Sequence, residues 1–127
     1  NGTINTSDAS QKKNIQNLDY GLNEIMQLRR VTFEWIKDDG SGTKLGLIAQ
    51  ELQQVLPETV RDWDWAGDGK TKIPASTLGV YYSDIIPVLV KGIQEQQQII
   101  KTQDEKIKNL EAQQAQILER LSKLEAK

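Results

Sequence analysis

Residues 86–124 read IPVLVKGIQEQQQIIKTQDEKIKNLEAQQAQILERLSKL, and this stretch decides the architecture of the chain. One heptad frame holds throughout it, and nine of its twelve a and d positions are apolar. A long helix that is otherwise polar cannot bury such a seam within one chain, so the seam must meet partner helices. We predict a homotrimeric coiled coil over residues 85–127. Its predicted core residues are Ile86, Leu89, Ile93, Ile100, Ile107, Leu110, Ile117, Leu121 and Leu124.

Isoleucine at the a positions, with d positions that are not uniformly leucine, favours three strands over two. Three glutamines, Gln96, Gln103 and Gln114, occupy the remaining core positions. They either fix the register and the number of strands, or they mark a loosely packed stretch. Gly92 is costly inside a helix, and we expect it to permit close approach at the trimer axis or a bend.

The segment before this helix predicts a small α+β head of β-hairpins and short helices. Apolar residues from Gln16 to Leu28 recur at helical spacing and predict a short amphipathic helix. The alternating run from Val31 to Ile36 and the apolar run 45–49 predict a hairpin, followed by a helix over 50–56 that Pro57 ends. Ser83 or Asp84 is expected to cap the last helix.

Residues 60–78 predict two short strands around an Asp-Gly turn, or a projecting loop. Trp63 and Trp65 alternate along the first of these strands and therefore share one face of it. We expect them to pack at a subunit interface in preference to stacking on a sugar. The acidic run from Asp62 resembles a calcium loop only superficially, because Ala66 and Ile73 stand where oxygen ligands are needed. We therefore predict no metal site.

Composition narrows the chemistry further. The chain has 127 residues, no cysteine and no histidine, which excludes disulfides, thiolate sites and a Ser-His-Asp triad within it. A net charge of −2 offers no strong field for nucleic acid or anionic lipid. With no apolar run long enough to span a membrane and no signal-peptide pattern, the chain is expected to be soluble and to be a piece of something longer. We therefore predict that the chain binds no cofactor, no nucleic acid and no membrane.

Ser7 and Lys12 are the candidate catalytic pair at the front of the chain. A serine hydroxyl attacks a carbonyl when a base takes its proton, and a neutral lysine can be that base. The spacing alone is a weak signal, because serine and lysine often stand five residues apart by chance. Glu51 and Glu58 could form the carboxylate pair of a glycosidase, but nothing else in the sequence supports that activity.

Three blocks of sequence together resemble one known family. They are Ser7-Asp8 with Lys12, the run Gly46-Leu-Ile-Ala-Gln-Glu-Leu52 with Leu56-Pro-Glu58, and the run Gly79-Val-Tyr-Tyr-Ser-Asp-Ile-Ile-Pro-Val-Leu89. The chain resembles the endosialidase-type intramolecular chaperones, self-cleaving modules at the C-termini of phage tailspikes and tail fibres. The resemblance runs from about Ser7 to the coiled coil.

The resemblance implies a trimeric chaperone that assists folding of an upstream fibre and then cuts itself off. It places the scissile bond between Thr6 and Ser7, with Ser7 as nucleophile and Lys12 as general base. Asp8 would orient the lysine or cap the following turn, with the cap favoured, and Gln50 and Glu51 are supporting candidates. The implied organisation is an upstream linker (1–6), a chaperone and autoprotease head (7–84) and the coiled coil (85–127). Assembly is expected in the cytoplasm of a phage host.

A second hypothesis needs no chemistry. The glutamine-rich helix would make the chain a coiled-coil trimerisation tether of a fibrous protein, with Ser7 and Lys12 as ordinary linker residues. Under this hypothesis Ser7→Ala changes nothing, whereas autoproteolysis requires Ser7.

Overall fold

The computed structural model describes residues 4–126 and has an α+β fold, with a small head and one long C-terminal helix. Residues 1–3 of the predicted linker and residue 127 lie outside the described residues. The predicted fold class is confirmed, while assembly into a trimer stays a prediction. In chain order the elements are α1 (Leu22–Ile25), β1 (Val31–Phe33), β2 (Lys44–Gly46), α2 (Ala49–Val55), β3 (Val60–Trp65), β4 (Lys72–Val80) and α3 (Ile86–Glu125).

The core of the head is small and forms where α2 meets the start of α3. Leu56 is fully buried, and Leu52 is nearly so. Leu52 and Leu56 lie four residues apart at the inner face and C-terminal end of α2, as its helical pattern predicts. The other buried apolar residues of this core are Val60, Ile85 and Val88.

Both predicted hairpins are present. β1 and β2 pair antiparallel, with Val31 opposite Gly46, although these strands are shorter than the apolar runs suggest. β3 and β4 pair antiparallel around the predicted Asp-Gly turn, where Gly69 adopts a positive φ of 68°. The Asp68 carboxylate accepts hydrogen bonds from the backbone amides of Lys70 and Thr71 and stabilises this turn.

The helix predicted from Gln16 is wrong over most of its length, because α1 covers only Leu22–Ile25. Residues 16–21, where the helix was predicted, run without helix beside α3. The Lys91 ammonium donates to the Asp19 carbonyl at 2.8 Å, and the Glu95 carboxylate accepts from the Leu22 amide at 3.0 Å. These contacts use the backbone groups that a longer helix would have paired internally.

Gly92 faces α1 within one chain, so its expected place at the trimer axis is wrong, while the alternative of a bend stays a prediction. A β-carbon there would overlap the end of the Ile25 side chain and touch the Leu22 backbone. α1 therefore lies directly on α3 at this glycine, and α3 continues unbroken from Ile86 to Glu125.

The predicted cap of α3 is also wrong. Ser83 and Asp84 lie within a 3-10 turn, Tyr82–Ile85, that leads into the helix. The N-cap residue is Ile85, whose side chain makes no capping hydrogen bond. Among residues 4–126, no helix is both long enough and apolar enough to cross a lipid bilayer.

Candidate functional site

The first part of the candidate site is a tight turn near the start of the chain. The Asp8 carboxylate accepts a hydrogen bond from the Ser10 amide at 2.9 Å and caps a 3-10 turn over Ala9–Gln11. The Lys12 amide closes the turn by donating to the Ala9 carbonyl at 3.1 Å. The favoured reading of Asp8 as a cap is confirmed. Hydrogen bonds from Ser10 lower the pKa of Asp8 below its ordinary 3.8, which keeps the cap ionised.

This turn brings the two predicted catalytic side chains together. The Lys12 amine donates a hydrogen bond to the Ser7 hydroxyl over 2.6 Å. A separation of five residues would place the two groups far apart in an extended chain, so the capped turn is the reason that the spacing works. Both residues are exposed to solvent in the single chain, and Thr6 beside them is exposed as well.

The arm that carries this pair, residues 4–20, is held to the rest of the molecule at its C-terminal end. The Tyr20 hydroxyl donates to the Glu58 carboxylate at 3.0 Å, which raises the pKa of Tyr20 above 10.0. Beside it, Lys91 of α3 holds the Asp19 carbonyl. No local sequence pattern predicts these anchors, because the two partners of each contact lie 38 and 72 residues apart along the chain.

The two supporting candidates, Gln50 and Glu51, do not join the Ser7–Lys12 pair. The Glu51 carboxylate accepts two hydrogen bonds from the Arg29 guanidinium, each at 2.8 Å. These bonds lower the pKa of Glu51 below its ordinary 4.5. Gln50 is exposed at the start of α2. In the single chain both residues belong to the scaffold of the head.

Gly46, in the second of the three sequence blocks, makes room for Tyr82 from the third block. A β-carbon on Gly46 would come within 2.7 Å of the Tyr82 hydroxyl oxygen and 3.1 Å of Phe33. That hydroxyl accepts a hydrogen bond from the Leu47 amide at 3.0 Å. Two of the three sequence blocks that carry the resemblance thus meet at Gly46 and Tyr82, a contact that sequence reasoning missed.

The tryptophans of β3 share a face, as predicted. The rings of Trp63 and Trp65 meet edge to face, with centroids 5.0 Å apart, and the Lys72 ammonium lies 4.0 Å from the Trp63 centroid. The acidic residues nearby have other partners, since Asp64 pairs with Arg61. Within residues 4–126 no group of three or more acidic side chains is arranged to hold a metal ion.

The second part of the candidate site is the seam of α3. All nine predicted core residues are exposed in the single chain, from Leu89 at 43% to Ile93 at 68%. Two further apolar residues, Ile99 and Leu118, stand next to the seam and are also exposed. Over the described part of α3 beyond Gly92 no residue is buried, so this helix presents an apolar stripe that no part of the head covers.

A comparison with protein families supports the resemblance. Residues 7–61 match the model of a peptidase family described as the chaperone of endosialidase. The match begins at Ser7, includes Lys12, and extends through the Gly46 block to the start of β3. Among curated proteins, none matches this sequence. Residues 7–61 of this chain are therefore similar to a peptidase-related domain of the endosialidase chaperone family.

Proposed function

We propose that this chain is an intramolecular chaperone that trimerises through α3, assists folding of an upstream tail fibre or tailspike, and then releases itself. Release would be autoproteolysis between Thr6 and Ser7 by a Ser-Lys dyad. The assembly would take place in the cytoplasm of a phage host.

The observation that carries the catalytic part is the 2.6 Å hydrogen bond between the Lys12 amine and the Ser7 hydroxyl. The bond lies at the point where the match to the peptidase family begins. A base within hydrogen-bond reach of a hydroxyl is the arrangement that activates a serine nucleophile. With no histidine in the chain, lysine is the natural base for such a nucleophile.

The proposed reaction transfers an acyl group and then hydrolyses it. Neutral Lys12 takes the proton of the Ser7 hydroxyl as the oxygen attacks the Thr6 carbonyl carbon. The peptide C–N bond breaks, the Ser7 nitrogen receives the proton from Lys12, and the Thr6 acyl group is left as an ester. Water then hydrolyses that ester, which frees the Thr6 carboxylate and restores the serine hydroxyl.

The exposure of the dyad connects cleavage to assembly. Lysine accepts a proton only as the neutral amine, and burial favours that form. Ser7 and Lys12 are both exposed in the single chain, so a neighbouring subunit would have to cover them. Cleavage would then follow trimerisation, which is the order that a folding aid requires.

The exposed seam of α3 supports the trimer. A two-stranded coiled coil buries a narrow a/d seam, whereas Ile99 and Leu118 stand at flanking g and e positions and widen the apolar stripe. A wider stripe needs contact with two neighbouring helices. Joining three chains at α3 would raise their effective concentration and lower the entropic cost of starting an intertwined fibre.

The test is the intact mass of the chain, extended by upstream residues, after expression. We expect the parent to lose everything before Ser7, while Ser7→Ala and Lys12→Met stay whole. Ser10→Ala and Lys13→Met are matched controls from the same segment, and we expect both to be cut as the parent is. Cleavage of Ser7→Ala would contradict the proposed nucleophile.

One observation favours the tether as a second candidate function. Both members of the dyad are exposed, and no residue of the described part of the chain desolvates them. If the parent stays whole in the same experiment while sedimentation shows a trimer, the chain is a coiled-coil tether without autoproteolysis.

A further inference from the structure

Asn14 differs from the rest of the arm in its backbone conformation. Its φ of 55° lies in the left-handed region, and among residues 4–126 every other residue with a positive φ is a glycine. Left-handed backbone is unfavourable for a residue with a side chain, although asparagine tolerates it better than most residues do. Because sparsely populated backbone conformations cluster at functional sites, the place of Asn14 in the chain is informative.

Asn14 lies in the link between two parts of the arm that the structure holds in place. On its N-terminal side, the capped turn closes at Lys12 and holds the amine 2.6 Å from the Ser7 hydroxyl. On its C-terminal side, the hydrogen bonds of Asp19 and Tyr20 fix the arm to α3 and to the head. The chain bends between the reactive pair and its anchor.

The bend at Asn14 is fixed by the conformation of the backbone itself. Within the described part of the chain, residues 13–18 take part in no backbone–backbone hydrogen bond, and Asn14 is exposed. The neighbours of Asn14 in this segment have negative φ values, which almost any side chain allows. Asn14 is therefore the position of the link where the type of residue selects the path of the chain.

The path of the chain at Asn14 has a large effect on where the reactive pair lies. Changing its φ to an ordinary value of about −65° would rotate the preceding turn by about 120°. Lys12 lies two residues before Asn14 and Ser7 lies seven before it, so both groups would move by several ångströms. The pair would stay formed within its turn, but its place relative to the head would change. A misplacement of about 1 Å can lower a rate about a hundredfold.

We infer that Asn14 is a positioning residue for self-cleavage, because its left-handed backbone directs the Ser7–Lys12 turn to the place where the reaction occurs. The inference rests on the proposed autoproteolysis, and it assigns the role to the backbone of Asn14 and not to its amide. Ser7 and Lys12 are exposed in the single chain, whereas burial favours the neutral lysine that acts as a base. The arm must therefore present the pair to a covering surface, and its path decides which surface the pair meets.

The test compares side chains that differ in how well they tolerate a positive φ. Asn14→Gly allows it at no steric cost, Asn14→Ala disfavours it, and Asn14→Val makes it a genuine outlier. Gln16→Gly and Gln16→Val are the matched controls, because Gln16 is an exposed residue of the same arm with a negative φ. Each chain, extended by upstream residues, is synthesised in a short cell-free pulse, and the uncut fraction is followed with time.

We expect Asn14→Gly to be cut within about threefold of the parent rate, Asn14→Ala more slowly, and Asn14→Val roughly tenfold or more slowly. Both Gln16 variants should follow the parent. Equal rates across the Asn14 series would overturn the inference and leave the autoprotease standing. Equally slow cutting of Asn14→Gly and Asn14→Val would also overturn it, because the amide would then be what matters. A parent that stays whole overturns both the inference and the proposed autoproteolysis.

A second measurement separates positioning from stability. Asn14 is exposed, so its replacement removes no packing within the chain. With Ser7→Ala keeping the chains whole, we expect Asn14→Val to show the parent's urea midpoint for tryptophan fluorescence and the parent's mass in sedimentation. A lower midpoint or a smaller mass would overturn the positioning role, since slow cutting would then follow from a weaker fold or a weaker assembly.

Discussion

The two parts of α3 differ sharply in what surrounds them. In residues 86–95, Val88 and Gly92 are buried, and Lys91 and Glu95 hydrogen-bond to the arm and to α1. In residues 96–125 no side chain is buried and none contacts the head through a hydrogen bond. The head therefore packs against the first part of α3, residues 86–95, and leaves the second part, residues 96–125, exposed in the single chain.

The difference shows that the head and the seam use different faces of α3. Val88, Lys91, Gly92 and Glu95 occupy c, f, g and c positions of the heptad, which form one face of the helix. The a and d residues lie on the opposite side and stay free. The head packs on the face of α3 opposite the seam, so docking of the head and pairing of helices do not compete for the same residues.

Breaking the distal part should have the largest effect. Ile107→Lys places a charge in the seam of every subunit, and burying an unpaired charge costs several kcal/mol per ion. We expect the variant to be a monomer at concentrations where the parent is a trimer, as measured by sedimentation. The helical signal in circular dichroism should fall, because a solitary polar helix is marginal in water.

Asn109→Lys is the matched control for this change. It adds the same charge at a c position two residues away, and we expect it to leave the trimer intact. All three tryptophans lie in the head, so their fluorescence reports the head alone and should stay native in Ile107→Lys. A trimeric Ile107→Lys would show that residues 96–125 are not the assembly seam.

A substitution in the proximal part should have a smaller effect. Gly92→Leu inserts a side chain where α1 lies on α3, at the cost of about 1–3 kcal/mol that overpacking brings. Better helix propensity returns about 1 kcal/mol of this. We expect a lower urea midpoint for tryptophan fluorescence at fixed chain concentration, with the trimer retained.

Gln98→Leu is the control for apolarity without overpacking. Gln98 is exposed at an f position, and such surface changes stay within about 0.5 kcal/mol. Equal midpoints for Gly92→Leu and Gln98→Leu would mean that α1 does not pack tightly on α3.

Local patterns predicted much of this molecule. Alternation and turn residues located both hairpins, Pro57 marked the end of α2, and the heptads located α3. In the candidate site, the family resemblance named Ser7 and Lys12 as a pair, and the structure brings these side chains together because a capped turn is decided within six residues. Each of these features depends on neighbours in sequence.

The features that sequence reasoning missed depend on partners far along the chain. The helix predicted from Gln16 gives way to an extended arm because Lys91 and Glu95 bind its backbone. From the sequence alone Gly92 is a destabilising residue within α3, whereas in the structure it lets α1 pack directly on the helix. The contact of Tyr82 with Gly46 also joins residues that are far apart in sequence, and no periodicity encodes such pairs.

The smallest expected effect concerns acid, and it separates head from stem. Glu51 has a lowered pKa through its bonds to Arg29, so its contribution to stability is fully present above the ordinary value of 4.5 and is lost as pH falls through the lowered pKa. We expect Glu51→Gln to weaken the head slightly at neutral pH and to flatten its stability profile below pH 4.5. The measurement is the urea midpoint of tryptophan fluorescence between about pH 3 and about pH 7. Glu111→Gln removes an exposed carboxylate from the distal part of α3 and should follow the parent profile; if it flattens the profile equally, the acid response does not originate in the head.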